Sequence, residues 1–318
     1  MSTLTGPSDT SLAVRTADLT AAGLSYHDIS RDIRTGRRKR LHRGVLTQGT
    51  PAAEALSLAA ARAAAALLVV PNAAVSHRSA GVLHRFLTAD PESIVCVTRS
   101  TSTGCRRRAE PARVHLHTAA LRRPDMVEVD GLAVTSAART VCDLARLLPM
   151  PDALAAADAA VRNGCVTVED MAEVLAAQVR WPGTVAARRV CAIVDPDAES
   201  PLESRVRATL VLLGGLPLPQ LQVAVLGASG RTYRADLLWP DRWTLVEVDG
   251  RVKYDHAWSG SAQQALWAEK RRGDDLAEAG WEVVRIVADD LRHDHRRVTA
   301  RVAAAFARGR RRHGGGFD

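Results

Sequence analysis

The stretch with the densest potential for chemistry is Arg234–Gly250, RADLLWPDRWTLVEVDG. Ala235–Trp239 is apolar apart from Asp236, Pro240-Asp241-Arg242 signals a turn, and Trp243–Asp249 alternates. Side chains in a strand repeat every two residues. Trp243, Leu245, Glu247 and Asp249 therefore share one face, and Thr244, Val246 and Val248 the other. A hairpin closed at the turn brings Asp236 within a residue or two of Glu247. Carboxylates crowded on an apolar surface repel one another. A divalent cation relieves that repulsion, and oxygen-only ligands suit Mg²⁺ or Mn²⁺. A lone acid on a strand face is ordinarily the solvated side of a sheet; Trp243 and Leu245 on the same face argue against a wholly wet surface.

The flanking elements must position these acids. Upstream, Ser200-Pro201 opens a helix, LESRVRATLVLL, with Glu203 in its first turn. Downstream, Gln263–Ala279 reads as a helix closed by Gly280 at the C′ position, and Trp281–Val287 as a buried strand. The order is helix, strand, acidic strand, acidic strand, helix, strand.

The segments SPLESRVR, YRADLLWP, LVEVDGRVKY and AEKRRGDDLAEAGWEVVRI resemble the PD-(D/E)XK nuclease superfamily over Glu199–Leu291, in the branch related to very-short-patch-repair endonucleases. The resemblance implies a restriction-endonuclease-like αβββαβ domain. In it Asp236 is the metal-binding Asp, Glu247 the second acid and Glu203 the helix acid that completes a Mg or Mn site. The superfamily's usual Lys follows the second acid by two residues; here Asp249 stands in that catalytic position. Lys253 and Lys270 are the candidate replacements, with Lys270 expected on the helix face turned to the sheet. The chemistry implied is metal-assisted phosphodiester hydrolysis, in which a cation activates water and offsets charge developing on phosphate, with an ammonium assisting.

Thr16–Val45 suggests a second nucleic-acid element. Asp18–Ala22 starts a helix that Gly23 ends. Ser25 caps a second helix, Tyr26–Arg34, with Asp28 at the capping-box position. Thr35-Gly36 turns, and Arg37–Arg43 carries five basic residues and His42 before the short strand Gly44–Leu46. Two helices followed by a basic wing form a winged helix-turn-helix pattern. AAGLS and GRRKRLHRGV resemble the N-terminal domain of AbiEi-type antitoxins. In helix-turn-helix geometry the second helix enters the major groove. His27, Ser30, Arg31 and Arg34 would then face DNA, while Arg37, Arg38, Lys39, Arg40 and Arg43 contact phosphate. A basic run can equally be a solvated face.

Between these regions, Glu54–Val70 reads as an Ala-rich helix broken by Pro71-Asn72, and Ala73–Leu87 as a second helix. Ser93–Thr98, Arg113–His117 and Val127–Thr135 read as strands, and Arg139–Leu148 as a helix. This block also resembles the region after the wing in AbiEi-like proteins. Val127–Gly131 repeats the letters VEVDG of Val246–Gly250, but no Asp-bearing hairpin precedes it, so it reads as strand–turn–strand. His115 and His117 share a strand face with no third ligand in view, and read as a surface pair rather than a metal site. Pro151–Val194 is helical, with Thr167 and Asp170 as a capping box. Leu291–Arg312 is a basic helix, either a DNA path or a charged amphipathic cap.

The expected organisation of the 318 residues is a winged helix-turn-helix (1–50), a mixed α/β middle domain (51–150), a helical linker bundle (151–197) and a nuclease-like domain with a basic C-terminal helix (198–318), α/β in class and α+β overall. A hydrophobic content of 47% supports real cores, and a net charge of +8 favours a polyanionic partner. The N-terminus lacks an apolar signal segment, no run is long enough to cross a bilayer, and the five cysteines form no C-x-x-C pair. A cytoplasmic protein without membrane partners is expected, a metal-dependent DNA endonuclease or nickase in repair or phage defence. The alternative is a non-catalytic regulator of the antitoxin type. A homodimer is compatible with either reading, and a toxin partner with the second.

Overall fold

The computed structural model describes residues 12–49, 55–90, 94–100, 113–250 and 260–314. They fall into two compact units. The first takes the described residues up to Leu144 together with Cys165–Ala177; the second takes Ala145–Gly164 and the described residues from Gln178 onward. The class is mixed α/β, with several sheets. The expected linker bundle 151–197 is therefore shared between the two units.

The first unit begins with β1 (Ala13–Arg15), α1 (Thr16–Ala21) and α2 (Tyr26–Arg34), followed by β2 (Arg40–His42) and β3 (Val45–Thr47), in a three-stranded sheet ordered β1-β3-β2. Ser25 fixes the start of α2. Its hydroxyl accepts from Asp28 N at 3.2 Å, and the Asp28 carboxylate accepts from Ser25 N at 3.3 Å, a reciprocal capping box. The strand β1 had no sequence expectation. It closes the wing hairpin on its far side. Next come α3 (Ala55–Val69), β4 (Ala73–Val75), α4 (His77–Leu83), β5 (Val95–Arg99), β6 (Val114–Thr118), β7 (Met126–Val129), β8 (Leu132–Thr135), α5 (Ala137–Leu147), which belongs to this unit as far as Leu144, and, after α6 (Met150–Arg162) of the second unit, α7 (Val168–Ala177). One core joins Ala13 and Val45 to Ala63, Val75 and Val134. The segment before residue 50 and the mixed sheet after it are thus packed together.

The single helix expected over Ala73–Leu87 is not present. Ala73–Val75 pairs antiparallel with β5 and parallel with β8 inside a five-stranded sheet ordered β6-β5-β4-β8-β7. Alanine-rich sequence favours helix only weakly, and two flanking ladders override it. The VEVDG of Val127–Gly131 forms the expected strand–turn–strand, with Asp130 (φ 49°) and Gly131 (φ 76°) both left-handed, as tight hairpin turns require.

The second unit contains α6, α8 (Thr184–Cys191), α9 (Pro201–Ala208) with a π-helical turn at Thr209–Leu213, β9 (Gln220–Leu226), β10 (Thr232–Trp239), β11 (Thr244–Asp249), α10 (Gly260–Glu278), β12 (Glu282–Val287), α11 (Asp290–His293) and α12 (His295–Arg312). The expected element order from α9 to β12 is present. The sheet runs β12-β11-β10-β9, with β11 and β12 parallel and the other pairs antiparallel. One face (Leu237, Trp239, Val246, Ile286) packs with Val206 of α9 and Val298, Val302 and Phe306 of α12. The other face (Ala235, Leu238, Leu245) packs with Leu276 of α10. The expected continuous helix Leu291–Arg312 is divided at Asp294, whose extended backbone and side chain (Oδ1 to Arg296 N, 2.9 Å) cap α12. Gly309 lies where α12 meets the β10–β11 turn, and a Cβ there would strike the carbonyl of Arg242. Arg301, Arg308 and Arg312 of α12 form ion pairs with Asp290 (3.0 Å) and Glu282 (2.7 and 3.5 Å), which favours the capping role for this helix. Among the described residues no helix is long and apolar enough to cross a membrane, and Cys96, Cys142, Cys165 and Cys191 form no disulfide.

Candidate metal and nucleic-acid site

The β10–β11 hairpin aligns Leu237 with Val246 and Leu238 with Leu245, a register that sets Asp236 opposite Glu247. On its other side Asp236 faces Gln222 of β9: Ala235 pairs with Val223 and Leu237 with Leu221, while the 236–222 pair is skipped. Gln222 has φ 52°, a left-handed backbone rare for a residue with a Cβ. Alternation breaks here too. Ala235 and Leu238 belong to the α10 face and Leu237 to the α12 face, whereas strict alternation would keep Ala235 and Leu237 together. The ladder thus opens at Asp236, whose Oδ2 accepts from Val248 N at 2.7 Å.

Glu203, Asp236 and Glu247 come from α9, β10 and β11. They lie close enough that Glu203 and Glu247 both act on Asp236. Burial pushes the Asp236 carboxyl above its ordinary pKa, the two neighbouring negative charges push the same way, and the Val248 N–H and the Arg272 guanidinium oppose them. Glu203 also performs structural work. Its Oε1 accepts from the Ser200 hydroxyl at 2.7 Å, and its Oε2 from Glu199 N at 3.0 Å and Gln222 Nε2 at 2.8 Å. The Ser200 hydroxyl in turn accepts from Glu203 N at 3.2 Å, so the N-cap and the acid hold each other.

The cations beside Glu247 are arginines. Arg272 Nε stands 2.8 Å from Glu247 Oε1, too bent for a hydrogen bond, and Arg285 Nε lies 3.2 Å from Oε2. Arg285 also reaches Glu269 at 3.1 Å, and Arg272 donates to the Arg234 carbonyl at 2.7 Å. Lys270, expected on this face, is exposed, with its Nζ over the Trp267 ring at 5.7 Å. Two residues along a helix turn about 200°, so Lys270 and Arg272 point to opposite sides of α10. The buried Leu276 marks the sheet-facing side, and counting back one turn from it selects Arg272. Sequence reasoning missed Arg272, Arg285 and Gln222. Asp249 ends β11 opposite Val287 and shares the face of Glu247. Lys253 lies outside the described residues. Trp267, Glu269, Lys270, Gly273 and Arg285 border an open hollow of about 790 Å³.

Among the described residues, no three His, Cys, Asp or Glu side chains are drawn together as a metal-binding group. The donors nevertheless fit Mg²⁺ or Mn²⁺ in type, being oxygens from separate elements. Gln222 Oε1 is also buried without a hydrogen bond. In metal-free solution Asp236→Asn should melt above the unaltered chain at pH 7. A raised folded pKa means that the carboxyl's stabilising contribution is full below its unfolded value and lost as pH rises through the folded one. The difference between the two proteins should therefore narrow towards pH 4. Melting curves in chelator across that range check this.

On the first unit, His27, Ser30, Arg31 and Arg34 are exposed on α2, and Arg37, Lys39, Arg40 and Arg43 are exposed around the wing. Arg38 differs from them. It is 15% exposed, 3.4 Å from Asp32 and bonded to the Thr47 carbonyl at 3.0 Å, so it ties α2 to the wing. Arg31 also pairs with Asp28 at 2.9 Å, within reach of solvent. The histidine pair of β6 gains a neighbour that the sequence did not suggest: His117 stacks on buried His77 at 3.7 Å and meets His115 edge-on at 4.4 Å.

No family model matches the chain. It is similar to two Mycobacterium tuberculosis proteins, MT2308 and Rv2248, both described only as uncharacterized. Each is 37% identical over 183 residues, 57% of this chain. The chain spans 65% of the length of these relatives.

Proposed function

We propose that this protein binds DNA through the α2–wing surface and hydrolyses phosphodiesters at the carboxylates of its second unit, as a Mg- or Mn-dependent endonuclease or nickase of the PD-(D/E)XK type acting in repair or phage defence. The observation that carries the reading is that Glu203 of α9 and Glu247 of β11 both bear electrostatically on Asp236 of β10, at a point where the sheet ladder opens. A bound cation there would activate water and balance charge on phosphate. Asp236 and Glu247, with Glu203, would hold it. Arg272 and Arg285 would neutralise Glu247 until then and would offer guanidinium donors to phosphate oxygens. The exposed α2 residues would face the major groove, and the exposed basic residues of the wing would supply register and affinity. The test is incubation with supercoiled plasmid and Mg²⁺ or Mn²⁺. Nicking or linearisation that stops in chelator supports the reading, and intact plasmid under every metal removes it.

The arginine pairing of Glu247 favours a second reading. The domain would then be charge-balanced without metal, and the chain a non-catalytic DNA-binding regulator of the antitoxin type, with a toxin partner or as a homodimer. Gel retardation without cleavage selects it.

Under either reading, Lys39→Ala and Arg40→Ala should each weaken DNA binding about equally across sequences and reduce the slope of log affinity against log salt by roughly 1. Arg38→Ala should lower stability as well, through loss of the Asp32 and Thr47 ties. Salt-titrated binding with parallel melting curves distinguishes the two effects.

A further inference from the structure

We propose that the side-chain amide oxygen of Gln222 is a ligand for the divalent cation at this site, an inference that rests on the metal-centre reading above. Gln222 stands opposite Asp236, in the one skipped pair of the β9–β10 ladder, on a left-handed backbone at φ 52°. A non-glycine residue persists in that region only where its surroundings hold it, and such residues gather at functional sites. Its orientation follows from chemistry. Nε2 lies 2.8 Å from Glu203 Oε2, and a carboxylate only accepts, so the nitrogen must face Glu203 and the oxygen must face away. That oxygen is buried and has no hydrogen-bond partner among the described residues. A buried acceptor left empty is costly, and a hard cation satisfies one without a proton. Asp236 offers a second acceptor: its Oδ2 is taken by Val248 N, and Oδ1 carries no hydrogen bond among the described residues. Amide carbonyls join carboxylates routinely around such ions.

The test uses the full chain, with Mn²⁺ affinity by calorimetry and the rise in melting temperature on adding Mn²⁺ as readouts. Gln222→Met keeps the length and removes both polar atoms; it should weaken Mn²⁺ binding by about tenfold or more and shrink the thermal shift. Gln222→Glu keeps an oxygen and loses the donor to Glu203. If the oxygen ligates, this variant retains affinity. If Gln222 acts only by positioning Glu203, it binds as weakly as the Met variant. The Glu variant decides alone should the Met variant fail to fold. Unchanged affinity in Gln222→Met, or weak binding in Gln222→Glu, overturns the assignment while leaving the metal centre standing, provided Asp236→Ala loses Mn²⁺. Retained affinity in Asp236→Ala, or no Mn²⁺ binding by the unaltered chain, overturns both.

Discussion

Asp236→Ala should reduce metal-dependent DNA cleavage by about a thousandfold, since a metal contributes several kcal/mol to a phosphoryl transition state and each 1.36 kcal/mol is a factor of ten. Affinity for DNA should barely move. Glu247→Ala should behave differently, and the contrast is the informative part. Its carboxylate faces Arg272 at 2.8 Å and Arg285 at 3.2 Å. Its removal should destroy cleavage equally but leaves Arg272 without its acid, while Arg285 keeps Glu269 at 3.1 Å. The Arg272 guanidinium is then available to phosphate, so DNA binding should tighten and its salt dependence steepen by roughly one counterion. Nicking assays and salt-titrated gel shifts on the same preparations read both effects. Cleavage that survives either change removes these acids from the chemistry. A chain that never cuts, yet binds more tightly after Glu247→Ala, is the regulator.

The hairpin, its turn and the facing of Asp236 and Glu247 were legible because they depend on local signals: period-two alternation, Pro240 at the turn, Ser200 and Ser25 at helix starts. The arginines beside Glu247 were not legible: the Lys absent from position 249 directs attention to Lys253 and Lys270 by residue type, whereas position on α10 is decided by which side Leu276 buries, and that side carries Arg272. Gln222 was invisible for a different reason. A skipped ladder pair depends on how β9 meets β10, and nothing in QLQVAVL announces it. Ala73–Val75 failed for the same cause in reverse, since pairing with β5 and β8 decides a three-residue strand whose own composition favours helix. The buried arginines illustrate the limit further. Arg139 and Arg207 are each 1% exposed, although arginine is almost never fully buried without a partner.

Arg207 leads to the largest expected effect on stability. Its Nη2 lies 2.6 Å from Asp158 Oδ2 on α6, and its Nη1 donates to the Ile193 carbonyl at 2.6 Å. Asp158 is 0% exposed and also accepts from Asp195 N at 3.0 Å. Asp158→Ala would strand a buried guanidinium and orphan a backbone N–H, which should cost about 3–5 kcal/mol. For the second unit, of about 160 residues, that corresponds to a fall in melting temperature of roughly 6–20 °C. Desolvation weighs against such pairs, so the double change Asp158→Leu with Arg207→Met should recover most of the loss. The consequence for function follows from spacing: Arg207 is one helical turn beyond Glu203 on α9, so the Asp158 anchor holds the helix that presents Glu203 to Gln222. The double variant should therefore melt near the unaltered protein and, if α9 shifts, bind Mn²⁺ less well. Full stability with full Mn²⁺ affinity would show that packing of Val206 and Leu210 against the sheet alone orients the helix.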